Sequence, residues 1–201
     1  LLVLFIQGIF RLLLIFYICE TIFRNSIMNK TLLTPRITVV ISILIAGALL
    51  RIIPHWPNFT PVAAIALFGG TYLKRKDIAF LLPVAVMLIS DAILGFHGVM
   101  IPVYASFLLI VGLGFILRRK VTALNLVSAS LVSSLLFFLI TNYASWATGL
   151  MPYSPGFPGL LQAYIAGLPF FLNGIMGDLF FNGLFFGAFY LITNRWQVFA
   201  R

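Results

Sequence analysis

Hydrophobic positions in this chain come in long blocks rather than in the period-two rhythm of strands. Apolar runs cover Ile37–Ile53, Val62–Leu73, Ile78–Phe96, Ile101–Leu117, Val121 to about Thr148, and Leu160–Thr193. The breaks between them are short: the Pro-rich Pro54–Pro61, Lys74-Arg75-Lys76, His97-Gly98, Arg118-Arg119-Lys120, and the uncharged Gly149–Gly159 with three prolines. Blocks of this length read as helices, and they exclude porin strands, which are about ten residues long and alternate in polarity. The last block is too long for one straight span. Gly167 and Pro169 predict its division into an interfacial piece and a final helix. The pattern predicts an all-α membrane protein: a bundle of six core transmembrane helices in three hairpins, spanning residues 28–201. A further apolar segment, Leu1–Phe23, is interrupted by Arg11 and Glu20. Met28-Asn29-Lys30 ahead of the regular pattern reads like a natural start. Residues 1–27 are therefore expected to be an N-terminal extension outside the core, the competing reading being an extra N-terminal helix.

Composition narrows the class further. The 201 residues are 62% hydrophobic and 8% charged, with a mean hydropathy of +1.14. An ordinary soluble domain is about a quarter charged and under half apolar. A soluble globule with this make-up could not cover its surface, and disorder, coiled coil and collagen fail as well. The net charge is +9, which in a soluble protein would suggest nucleic acid. Here the basic residues lie in clusters between apolar runs: Arg24, Lys30 and Arg36, then 74–76, 118–120, Arg195 and Arg201. With six spans, all of them fall on one side. The positive-inside bias makes that side, and the C-terminus, cytoplasmic in a bacterial inner membrane. No nucleic-acid partner is expected. The single cysteine, Cys19, excludes an internal disulfide and a Cys-rich metal site. No small-residue cleavage site follows the first apolar stretch, so a cleaved signal peptide is not expected.

Candidate chemistry lies at one depth. A helix rises about 1.5 Å per residue, which converts distance from the basic anchors into position across the membrane. Arg51 follows Arg36 by about 22 Å, and Asp91 follows Asp77 by about 21 Å. Tyr104 precedes Arg118, and Thr60 precedes Lys74, by about 21 Å each, and Asp178 precedes Arg195 by about 25 Å. Against a hydrocarbon core of about 30 Å, Arg51, Asp91 and Asp178 converge on one outer-leaflet plane. Intramembrane charges mark function or a buried pair. Arg51–Asp91 also reads as a purely structural pair, and Arg51 could instead reach up to headgroups. Asp178 then needs another partner, with His55, Asn182 or a proton as options.

The second block holds only 12 apolar residues, too few to cross. Either Pro54–Thr60 folds inward and the helix starts below the outer surface, or the prolines make a tight interfacial turn. The inward fold is preferred, with Thr60 as N-cap and Pro61 in the first turn. Irregular backbone at membrane depth is tolerated where it lines a cavity, and half-helix N-termini there bind polar ligand groups. Trp56, Phe59, Tyr104, Tyr143, Trp146, Tyr153 and Tyr164 fit an interfacial aromatic belt. Taken with Asn58, Asn142 and Asn173, they also fit the lining of a pocket for a flat polar molecule. Gly183 with Gly187, Ser42 with Ala46, and Gly69-Gly70 suit close helix packing. Catalytic signals are lacking: His55 and His97 have no metal-ligand spacing, and no phosphate loop, GxSxG or HExxH occurs. Neither enzyme activity nor a cofactor or metal is expected.

Several segments carry a resemblance. Pro57-Asn58-Phe59-Thr60-Pro61-Val62-Ala63-Ala64-Ile65-Ala66-Leu67-Phe68-Gly69-Gly70 resembles the signature of an uncharacterised family of small bacterial integral membrane proteins. So do Arg51–Pro54 ahead of it, Ser90-Asp91 to His97, Phe137–Asn142 and Gly177-Asp178-Leu179. The likeness runs from about Met28 to the C-terminus. That family is similar to the substrate-binding S components of energy-coupling-factor transporters. The resemblance implies six helices, an outward-facing site and micronutrient uptake powered by energy-coupling partner proteins. The expected solute site comprises Arg51, Thr60, Asp91, Tyr104 and Asp178, with His55, Trp56, Asn58, Asn142 and Trp146 towards its mouth. Two other readings stay open: a stand-alone ion- or proton-coupled carrier using Asp91 and Asp178, and a non-transport membrane subunit whose polar layer is structural.

Overall fold

The computed structural model describes residues 35–51, 56–96 and 98–195. The expected extension at 1–27, His55 and His97 lie outside the described residues. Among the described residues there are six α-helices and no strand: α1 (Pro35–Leu50), α2 (Val62–Tyr72), α3 (Lys76–Leu94), α4 (Met100–Leu117), α5 (Ala123–Ala147) and α6 (Phe157–Arg195). Helices α4, α5 and α6 are long and apolar enough to cross a membrane. With 16 and 11 residues, α1 and α2 reach only about 24 and 17 Å.

The short helix α2 is the centre of the molecule. Every residue from Pro61 to Thr71 is buried, and α1, α3, α4 and α6 pack around it. Its sequence, VAAIALFGGTY, is apolar on all sides and carries no charge, which suits a helix with neighbours in every direction. Small residues set how close those neighbours come. A Cβ on Gly70 would lie 2.4 Å from the Val111 carbonyl oxygen, and one on Gly114 would lie 2.5 Å from that of Leu67. The two backbones therefore touch, as the Gly69-Gly70 pair leads one to expect. On the opposite side Phe68 meets Phe185, Phe186 and Phe189 of α6 at centroid distances of 5.1–6.1 Å.

A helix that ends inside the fold must satisfy its last carbonyls. Arg118, just past α4, does so for α2. Its guanidinium donates to the carbonyls of Thr71 at 3.0 Å, Gly70 at 2.6 Å and Leu73, while lying 5.1 Å from the Phe115 ring. One residue thereby ties the 118–120 cluster to the end of α2, directly before 74–76. In that second cluster Arg75 bonds the exposed Asp77 at 3.2 and 2.5 Å. This hydrogen bond holds the Asp77 carboxyl below the usual carboxylate range.

Two expectations need correction. The last block is not divided: α6 runs unbroken through Gly167 and Pro169 for 39 residues, about 58 Å. A proline removes one ladder bond, but contacts on both sides of it hold α6 to α5. Tyr164 donates to the Leu139 carbonyl at 3.0 Å before the proline, and Phe171 stacks on Phe138 at 4.5 Å after it. Nor do Gly183 and Gly187 pack against the described residues: a Cβ on either would meet none of them within 4 Å.

Candidate functional site

The chain enters α2 through an irregular turn. Phe59 N–H donates to the Trp56 carbonyl at 3.0 Å, and Asn58 closes the turn with a left-handed φ of 62°, a conformation that asparagine tolerates better than most residues. The turn lies on α6. Phe59 packs between Phe180 and Phe181 at 5.9 and 5.5 Å, and Asn173 donates to the Pro57 carbonyl at 3.1 Å. A Cβ on Gly177 would sit 3.1 Å from Phe59 Cα, so the glycine permits this backbone to approach the helix. Pro61, rather than Thr60, occupies the N-cap of α2, and no side chain caps the helix. The Thr60 side chain makes no capping bond.

Thr60 lines a cleft between α2, α4, α5 and α6. Its empty space amounts to about 460 Å³, with the open solvent at its mouth included. Asn58, Thr60 and Ala63 form one wall. Phe107 comes from α4, and Ser134, Phe137, Phe138, Thr141 and Asn142 from α5. Gly167, Phe170, Phe171, Gly174 and Asp178 come from α6. Asp178 is buried, with 6% exposure. Its Oδ2 accepts from the Ser134 hydroxyl at 2.6 Å, and it has no basic partner among the described residues. Asn142 donates to the Phe138 carbonyl at 2.8 Å, and its amide occupies the space that a side chain at 167 would fill. Next to this floor, Asn182 donates to the Ser130 hydroxyl at 2.9 Å, while its buried Oδ1 accepts nothing. Of the partners expected for Asp178, Asn182 is thus bonded elsewhere.

The remaining charges form a second cluster. Arg51, at the end of α1, donates to Ser90 at 2.6 Å and to Asp91 Oδ1 at 3.1 Å. Tyr104 of α4 donates to Asp91 Oδ2 at 2.7 Å. The side chains of Arg51 and Asp91 are 13% and 3% exposed. Arg51, Asp91 and Tyr104 therefore meet, but none lines the cleft. Helix α4 contributes to both places, Tyr104 to the cluster and Phe107, one turn on, to the cleft.

Of the expected site residues, Asn58, Thr60, Asn142 and Asp178 come together. Trp56 and Trp146 do not line the cleft. Trp56 is exposed and meets Phe59 edge-on at 6.1 Å, and Trp146 lies beside Tyr143 and donates to the Ser154 carbonyl at 3.2 Å. Ser134, Thr141 and the phenylalanine walls were not anticipated. The legible signal was Ser134 and Thr141 spaced two turns apart on α5, in register with Asn142.

Helices, cleft and buried charges define an all-α protein with three helices of membrane-spanning length. Residues 31–199 match the model of the family of unknown function DUF6580, and the chain belongs to that family. No curated protein and no solved structure matches it.

Proposed function

We propose that this chain is a multi-pass protein of the bacterial cytoplasmic membrane, C-terminus inside, that captures a small solute in the α2–α4–α5–α6 cleft for uptake. It would act in the manner of an S component, with partner proteins supplying the energy. The observation that carries this reading is Asp178, a buried carboxylate without a basic partner at the wall of a cleft otherwise built from phenylalanine, amide and hydroxyl groups. An intramembrane carboxylate of this kind is costly and ordinarily marks a pathway or a site. The uncapped start of α2 at the same cleft supplies backbone donors for a polar group. Among the expected site residues, Asn58, Thr60, Asn142 and Asp178 hold the solute, while Arg51, Asp91 and Tyr104 brace the helices around it.

Native mass spectrometry of the full chain released from mild detergent tests the reading. A small molecule should co-purify with the wild type and be lost from Asp178→Asn. The orphan acceptor of Asn182 beside Asp178 favours a second reading, a stand-alone ion- or proton-coupled carrier. Uptake by the purified chain in vesicles under a pH gradient alone would select that reading. An empty cleft together with inactive vesicles would leave a structural membrane subunit.

A further inference from the structure

Two carboxylates lie within the helices facing this interior, and the fold treats them differently. Asp91 has Arg51 at 3.1 Å and Tyr104 at 2.7 Å. Asp178 has one neutral donor, Ser134, and its other oxygen takes no bond from the described residues. Among the described residues no other ionisable side chain lines the cleft. The start of α2, with Thr60 and Ala63 in the same wall, brings at most about half a positive charge, so a full carboxylate is not matched. A cationic occupant would supply that counter-charge in place of a proton. A bare metal ion would need several oxygen ligands, whereas five phenylalanines, Phe107, Phe137, Phe138, Phe170 and Phe171, share the cleft lining with Asp178, and aromatic rings attract organic cations. We infer that the occupant is a small organic cation, its ammonium group bonded to Asp178 and its apolar body held between the phenylalanine walls. Asn58, Thr60 and Asn142 contact its polar end nearer the turn. This inference rests on the solute-capture reading of the same cleft, and it adds the charge and chemical class of the solute.

Thermal unfolding of the full chain in detergent at constant ionic strength tests it. The probes are benzylammonium, 2-phenylethylammonium and indole-3-ethylammonium chlorides, with the uncharged alcohols of the same shape and sodium chloride as controls. At least one ammonium probe should raise Tm by about 2–4 °C, and its alcohol should not. The shift should vanish in Asp178→Asn. Should Asp178→Asn fail to fold, Phe171→Leu serves instead, and should raise the ammonium concentration for half effect roughly threefold to tenfold. Equal shifts from alcohol and ammonium probes would overturn the charge assignment while leaving solute capture intact. A shift from sodium chloride alone, lost in Asp178→Asn, would replace the organic cation with an inorganic one. No shift with any probe would also overturn the ammonium assignment. Solute capture itself is judged separately, by the co-purified molecule.

Discussion

At the scale of single residues, the Arg51–Asp91 pair makes the sharpest stability prediction. Both side chains are largely out of solvent, so removing one partner strands the other at a cost of about 3–5 kcal/mol. Arg51→Gln and Asp91→Asn should each lower the unfolding temperature, and the double variant should recover part of the loss. Additive effects in that cycle would show that the two do not interact. Arg118 gives a second case. Arg118→Ala leaves carbonyls at the end of α2 without a donor, each worth about 1–3 kcal/mol. Arg118→Lys should rescue little, because an ammonium cannot fork across three carbonyls as the guanidinium does. Denaturation in mild detergent measures both. Depth arithmetic found the residues of the first pair because each sits a similar number of residues from a charged anchor at the same end, Arg36 for Arg51 and Asp77 for Asp91. The same arithmetic merged Arg51, Asp91 and Tyr104 with Asn58, Thr60, Asn142 and Asp178. Spacing along a helix gives height but not the direction a side chain faces around the bundle, and these two sets lie in different places. Arg118 read only as a topological charge, since a capping role depends on where another helix ends.

At the scale of elements, glycines on two helix pairs should respond in opposite ways. Gly70→Ala and Gly114→Ala would each push a methyl group into the facing helix backbone, at 2.4 and 2.5 Å. Backbone cannot step aside as a side-chain tip can, so each should destabilise the chain by about 1–3 kcal/mol or more. Gly183→Ala and Gly187→Ala meet open space, and alanine is the better helix former by about 1 kcal/mol. They should be neutral or slightly stabilising in the same unfolding assay. A marked loss from Gly183→Ala would show a contact at that face from outside the described residues. The sequence treated Gly70, Gly183 and Gly187 alike, because a small-residue pair signals permission for close approach without naming a neighbour. The length of α6 was misjudged for a related reason. Pro169 marks a lost hydrogen bond, but whether a helix breaks there depends on the partner beside it, and α5 grips both halves. The shortness of α2 was legible, since the apolar block Val62–Leu73 holds only twelve residues and the helix runs over Val62–Tyr72, a limit set by length alone.

At the scale of the whole molecule, the bonds of Arg118 decide which loops share an end. They bring 118–120 to the end of α2, where 74–76 begins, so six basic residues gather at one end of the bundle against the single acid Asp77. Helix α5 starts three residues after Lys120 and is 25 residues long. It therefore carries the chain about 37 Å, farther than the hydrocarbon core, before the uncharged loop around Pro155. A basic end and a neutral end separated by that distance match the charge bias of an inner-membrane protein with the basic end in the cytoplasm. The test uses a Cys19→Ser background, which removes the only native thiol, with Pro155→Cys or Lys76→Cys added singly. Neither position is buried, so accessibility depends on the side of the membrane alone. In intact cells a membrane-impermeant thiol reagent should label position 155 and spare position 76, and position 76 should label once the membrane is opened. Labelling of position 76 from outside would invert the orientation, and with it the side from which the cleft is filled. Labelling of both from outside would mean that α5 does not cross the membrane at all.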